Sequence, residues 1–93
     1  MVLLARLSTK QIHPPFGLER AFGEVLRQIR KSHGTSQESL GFDSDLDRTY
    51  ISLLERGLKS PTLRTLFAMA KVLEVRPSDV LRRTEDLLAK KRR

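Results

Sequence analysis

The sequence contains no cysteine. Disulfides, thiolate zinc sites and cysteine nucleophiles are excluded together. Histidine is scarce as well. His13 and His33 stand far apart in segments that read as loops, so each is taken as a solvated loop residue and no metal site is expected. Long apolar runs are missing. The stretch Val2–Ala5 is too short for a signal-peptide core or a membrane span, which makes the cytoplasm the expected location and a membrane no expected partner. There is no glycine loop to cradle a phosphate, and nothing places a nucleophile beside a base. An enzyme is not expected, and no cofactor is implied. Strand patterns, internal repeats and low-complexity segments are also lacking.

What is present is charge. The 93 residues, enough for one domain, carry a net charge of +7. Residues 1–17 contribute +2 through Arg6 and Lys10, and residues 82–93 contribute +4 from six basic and two acidic residues. The middle, 18–81, has ten basic and nine acidic residues and adds only +1. The excess therefore sits mostly in the tails. Basicity favours an anionic partner, nucleic acid first. Basic tails are also often merely solvated, so any functional reading must rest on the middle.

The pattern predicts an N-terminal arm over 1–17, a folded unit over 18–83 and a basic end over 84–93. Pro14, Pro15 and Gly17 argue against a helix running through the arm. Leu18, Phe22, Val25, Leu26 and Ile29 recur at helical spacing, predicting a first helix over about 18–32. Gly34 suits a left-handed cap after it. Ser36 can cap a second helix over 36–43, with Glu38 in its first turn and Asp43, Ser44 and Asp45 breaking it. Asp47 opens a third helix over 47–56, which Gly57 ends. Thr62 caps a fourth over 62–73, with Leu63, Leu66, Phe67, Ala70 and Leu73 as its expected buried stripe. Pro77 suits the first position of a fifth over 77–88, with Val80, Leu81, Leu87 and Leu88 as its apolar set.

The second and third helices are short and separated by only a few residues, as in a helix-turn-helix. Leu40 anchors one helix, Leu46 plugs the turn, and Ile51 and Leu54 lock the other against it. Gly41 falls where the helices approach most closely. With those positions inward, about 100° per residue puts Thr49, Ser52, Leu53 and Arg56 outward on the third helix, with Arg48 at its start. Such a helix reads base edges in the major groove with residues near its N-terminus. Arg48 can pair with guanine, Thr49 and Ser52 with several bases, and Leu53 can meet a thymine methyl. An ordinary solvated helix face would carry similar residues. Phosphates suit the helix starts, where free amides bind anions. Gln37 extends one such site, and Lys59 and Thr62 another, with Tyr50, Arg56 and Arg64 as further candidates.

Ser36-Gln37-Glu38, Leu40, Arg48-Thr49-Tyr50-Ile51-Ser52, Leu54-Glu55-Arg56-Gly57, Pro61-Thr62-Leu63 and Leu66 together resemble the Cro/C1-type (XRE) helix-turn-helix family. Gly23, Leu26, Ile29-Arg30 and Gly34 fit it upstream, so the resemblance spans about 18–81. Leu46–Ser52 with Glu55-Arg56 is also similar to the restriction–modification controller subgroup. The resemblance implies an all-α, compact five-helix bundle of the lambda repressor-like kind that binds double-stranded DNA and regulates transcription. It puts Gln37, Arg48, Thr49, Ser52 and Leu53 at DNA-contacting positions. It also implies a salt bridge between Arg30 and Glu55. Asp45 and Glu74 stand where the family usually has glycine, and Leu53 is unusually apolar for a base-reading position. The arm 1–17 lies outside the pattern.

The resemblance further implies a homodimer, often through the last helices. Met69, Val72, Val80, Leu81, Leu87 and Leu88 are more apolar residues than one thin core should need, and an exposed apolar patch marks an interface. The operator of such a dimer is a near-palindrome. The alternative is that these residues complete the monomer core. A different function also stays open: an antitoxin or adaptor module whose main partner is another protein. No effector domain is evident, so no small-molecule ligand is expected.

Overall fold

The computed structural model describes residues 17–91. Residues 1–16 of the expected arm 1–17, His13 and Pro14-Pro15 included, and the last two arginines lie outside the described residues. Five helices follow in order: α1 (Leu18–His33), α2 (Gln37–Ser44), α3 (Arg48–Glu55), α4 (Leu63–Val72) and α5 (Pro77–Lys91). Among the described residues there is no strand.

Local chemistry sets the helix ends. Ser36 accepts the Ser39 amide at 3.0 Å, and Asp47 accepts the Thr49 amide at 3.1 Å. Thr62 accepts the Thr65 amide at 3.1 Å. Each bond satisfies an amide that has no acceptor within its own helix. α1 ends on Gly34 at φ 80°, where its amide and that of Thr35 close back on Lys31 and Arg30. Asp43 and Ser44 do not break α2 but complete its last turn. The break comes at Asp45, which caps the helix at φ 59°. His33 is the last residue of α1, not a loop residue. Its Nε2 lies 3.1 Å from the Glu74 carboxylate.

The core joins all five helices. Phe22, Val25, Leu26 and Ile29 of α1 meet Leu40 of α2 and Ile51 and Leu54 of α3. Leu66 and Met69 of α4, Leu73 just after it and Val80 of α5 close the cluster. Burying an aliphatic side chain of this size contributes about 1.5–3 kcal/mol, so this cluster holds the short helices in place. α1 packs most extensively against α5, while α2 touches α3 and α4.

Several apolar expectations are corrected here. Leu18, Leu63 and Phe67, expected inside, are more than half exposed. They lie on the flanks of their stripes, where neighbouring helices leave them more than half uncovered. Met69 and Val80, expected at an interface, are 1% and 2% exposed and belong to the monomer core. Val72 and Leu87 are partly buried against that core. Of that set, Leu81 is exposed and Leu88 half-buried. Among the described residues no helix is long and apolar enough to cross a membrane.

Candidate nucleic-acid interface

The site is the edge formed by the start of α2, the turn after it and the outer face of α3. The turn is tightly held. The Leu46 amide donates to the Gly41 carbonyl at 2.7 Å, and that of Asp45 to Phe42 at 3.2 Å. A Cβ on Gly41 would sit 2.7 Å from the Leu46 carbonyl oxygen and 3.3 Å from the Arg48 nitrogen. Only glycine lets the two helices come this close. Ile51 and Leu54, both fully buried, fix the rotation of α3 about its axis. Arg48 and Thr49 are then exposed at its N-terminal end, and Ser52 and Leu53 are partly exposed one turn on. Tyr50 is half-buried and packs against the core.

A bonded cluster ties this edge to α1. The Arg30 guanidinium grips both Glu55 carboxylate oxygens, Nε to Oε2 and Nη2 to Oε1, the latter at 3.0 Å. Its Nη1 donates to the Thr35 carbonyl at 2.9 Å. The two side chains are 10% and 3% exposed, so this is a buried pair and not a surface one. Hydrogen bonding to Glu55 raises the Arg30 pKa above its ordinary value, against the opposing effect of desolvation. Gln37 completes the cluster, donating its Nε2 to Glu55 Oε1 at 3.0 Å. A shallow depression lined by Arg30, Ser36, Gln37, Glu38 and Arg48 opens beside it.

The Helix-turn-helix family profile matches residues 26–80 of the chain. The chain belongs to the Cro/C1-type helix-turn-helix family. It is 48% identical over 61 residues to the control protein C.BamHI of Bacillus amyloliquefaciens, covering 64% of this chain and 75% of that protein. The clp gene regulator ClgR from Corynebacterium glutamicum superposes with a TM-score of 0.80 at 29% identity, over 84% of this chain and 83% of that one. The restriction-modification controller protein C.AhdI from Aeromonas hydrophila superposes at 0.64 with 38% identity, over 66% and 92% respectively.

In this member of the Cro/C1-type family the α2–α3 turn and the α4–α5 connection each form with a non-glycine residue in the left-handed region. Asp45 takes φ 59° and Glu74 takes φ 57°. Aspartate enters that region more readily than most residues because its short side chain bonds locally.

The other residues expected at DNA are spread more widely. Thr62 and Lys59 are exposed beside the start of α4, but the Thr62 hydroxyl is already engaged by the Thr65 amide and by the Thr65 hydroxyl at 3.0 Å. Arg56 is exposed past the end of α3, its Nε 3.4 Å from the Ser52 carbonyl. It lines a separate charged hollow with Arg20, Glu24, Arg27, Glu55 and Lys91, on the side of α1 and α5. Arg64 is exposed on α4. No group of histidine, aspartate or glutamate that could hold a metal occurs among the described residues.

Sequence reasoning assigns Gly23 no role beyond fitting the first helix. In the structure a Cβ there would lie 2.6 Å from the Glu55 carbonyl oxygen and against that of Leu54 as well. The end of α3 rests directly on the α1 backbone at this point. That contact brings Glu55 within reach of Arg30. The available signal is a glycine amid the apolar positions of a long helix, where it costs about 1 kcal/mol in propensity and so needs a packing reason.

Proposed function

We propose that this chain is a sequence-specific regulator of transcription that inserts α3 into the major groove of duplex DNA. The observation that carries the reading is the presentation of Arg48 and Thr49, exposed at the start of a helix whose opposite side is locked into the core. Ser52 and Leu53 continue the same face toward the next bases. Arg48 is the guanine reader, and Thr49 and Ser52 serve as adaptable hydrogen-bonding groups. Gln37 has a double role: one amide hydrogen holds Glu55, leaving the other hydrogen to donate to a phosphate. The amides at the start of α2 add to that phosphate site. Tyr50, Arg56, Lys59 and Thr62 serve the flanking backbone. Its similarity to control proteins and to transcriptional regulators supports the same class.

The Arg48→Ala variant is expected to lose about 1–3 kcal/mol of affinity for its preferred site and to relax selection at one base pair. Selection of bound sequences from a random duplex pool, run on this variant and the parent, checks it. Unchanged site preference in both Arg48→Ala and Ser52→Ala would remove α3 from the reading role.

The working unit in this reading is a symmetric homodimer. Two recognition helices about 34 Å apart then meet successive half-sites of a near-palindromic operator. With Met69 and Val80 in the core and Leu81 in the wall of an apolar groove, the joining surface falls to Leu88 of α5 and the exposed Phe67 of α4. Phe67→Glu is expected to shift the protein to monomer in light scattering and to abolish cooperative binding to a two-half-site duplex. Binding of one half-site per molecule by the parent at all concentrations would defeat the dimer.

A further inference from the structure

An apolar groove of about 170 Å³ runs between the starts of α1 and α4 and the middle of α5. Leu18, Phe22, Pro61, Leu63, Leu66 and Leu81 form most of its wall. Pockets for small molecules usually measure about 300–1,000 Å³, so this one suits side chains and not an effector. Its floor offers no spare donor, because the Thr84 hydroxyl donates to the Val80 carbonyl at 2.8 Å. Three of its walls, Leu18, Leu63 and Leu81, stay 49–72% exposed.

We propose that the groove is a seat for this chain's own N-terminal segment, filled by Leu3, Leu4 and Leu7. The described structure starts at Gly17, and the next residue is already a wall of the groove. Ahead of it stand sixteen residues that include Val2, Leu3, Leu4, Leu7, Ile12 and Phe16 but no acidic residue. Solvated tails are poor in large apolar residues, so this composition calls for a surface to cover. Leu3, Leu4 and Leu7 have the spacing of a single apolar stripe. Ten residues reach roughly 33–36 Å when extended, ample for a return from Gly17 to a groove that opens beside it. Pro14 and Pro15 supply the punctuation for that reversal. Charge agrees: the rim carries the Glu19 carboxylate, and the segment carries Arg6 and Lys10. A segment tethered at the rim meets the groove at an effective concentration on the order of millimolar. A second copy at micromolar concentration competes poorly with that.

The lack of cysteine makes the test direct. Ser8→Cys in the full chain gives a single attachment point for a nitroxide. With label and ¹⁵N on the same molecule, the amide signals of Leu18, Leu63, Leu81 and Thr84 are expected to lose at least half their intensity. Adding Leu4→Asp and Leu7→Asp, which leaves every side chain of the described core unchanged, is expected to restore them. A mixture of nitroxide-bearing ¹⁴N protein with unlabelled ¹⁵N protein is expected to show no such loss. Unaffected groove amides in the first sample, losses that persist in the Asp variant, or equal losses in the mixture would each overturn the proposal. Both samples are measured below the concentration at which light scattering first detects a dimer, so that a neighbour's label stays out of range of the groove. The result therefore stands apart from the dimer reading, which light scattering tests.

Discussion

Replacing Glu55 with alanine is expected to cost about 3–5 kcal/mol of folding stability, because it leaves the Arg30 guanidinium buried and uncompensated. An exposed pair would be worth about 0–1 kcal/mol; side-chain exposures of 10% and 3% decide between the two cases. For a domain of this size each kcal/mol moves Tm by roughly 4–8 °C, so the transition should fall by tens of degrees or vanish. The double variant Arg30→Met, Glu55→Leu is expected to recover much of the loss, since it removes both charges from the interior. Recovery should be incomplete, because the Thr35 carbonyl and the Gln37 amide each lose a partner. Denaturant unfolding of the four species in the cycle measures the coupling. A Glu55→Ala loss below about 1 kcal/mol, within the range of exposed pairs, would mean that the bridge is solvated in solution.

Gly23→Ala is expected to destabilise by on the order of 3 kcal/mol, the upper part of the usual range for overpacking. The new methyl would meet backbone carbonyls of Leu54 and Glu55, which cannot turn aside as a flexible side chain can. The helix-propensity gain of about 1 kcal/mol for replacing glycine with alanine offsets only part of this. Because α3 must lift away from α1 to make room, Arg30 and Glu55 should separate too, and DNA affinity should fall with stability. Thermal unfolding of the variant checks the first effect, and titration with the selected duplex the second. A Tm equal to the parent's would show that α3 does not rest on α1 at this point.

Much of this architecture is legible because it is local. Ser36, Asp47 and Thr62 announce helix starts through bonds made within three residues, and Gly34 announces an end in the same way. The site is legible to the extent that it follows from rotation: once Leu40, Ile51 and Leu54 face inward, the outward set of α3 follows. What stays hidden depends on contacts across the chain. An apolar tally cannot say whether Met69 and Val80 complete a core or wait for a partner, because both fates need the same side chains. A periodic stripe likewise does not reveal its covered width, and so it places Leu63 and Phe67 inside. Gln37 reads as a phosphate contact alone, since its bond to Glu55 spans eighteen residues and exists only after α3 docks.

The packing of α1 against α5 also bears on how the chain acquires its shape. Among the described residues, the first helix finds its largest partner in the last. α2, α3 and α4 can meet early, since short connections close at little entropic cost. The α1–α5 contact closes a much longer loop and is rewarded only once that loop has formed. During synthesis Phe22 and Leu26 must therefore wait, partly uncovered, until Val80 and Thr84 have emerged.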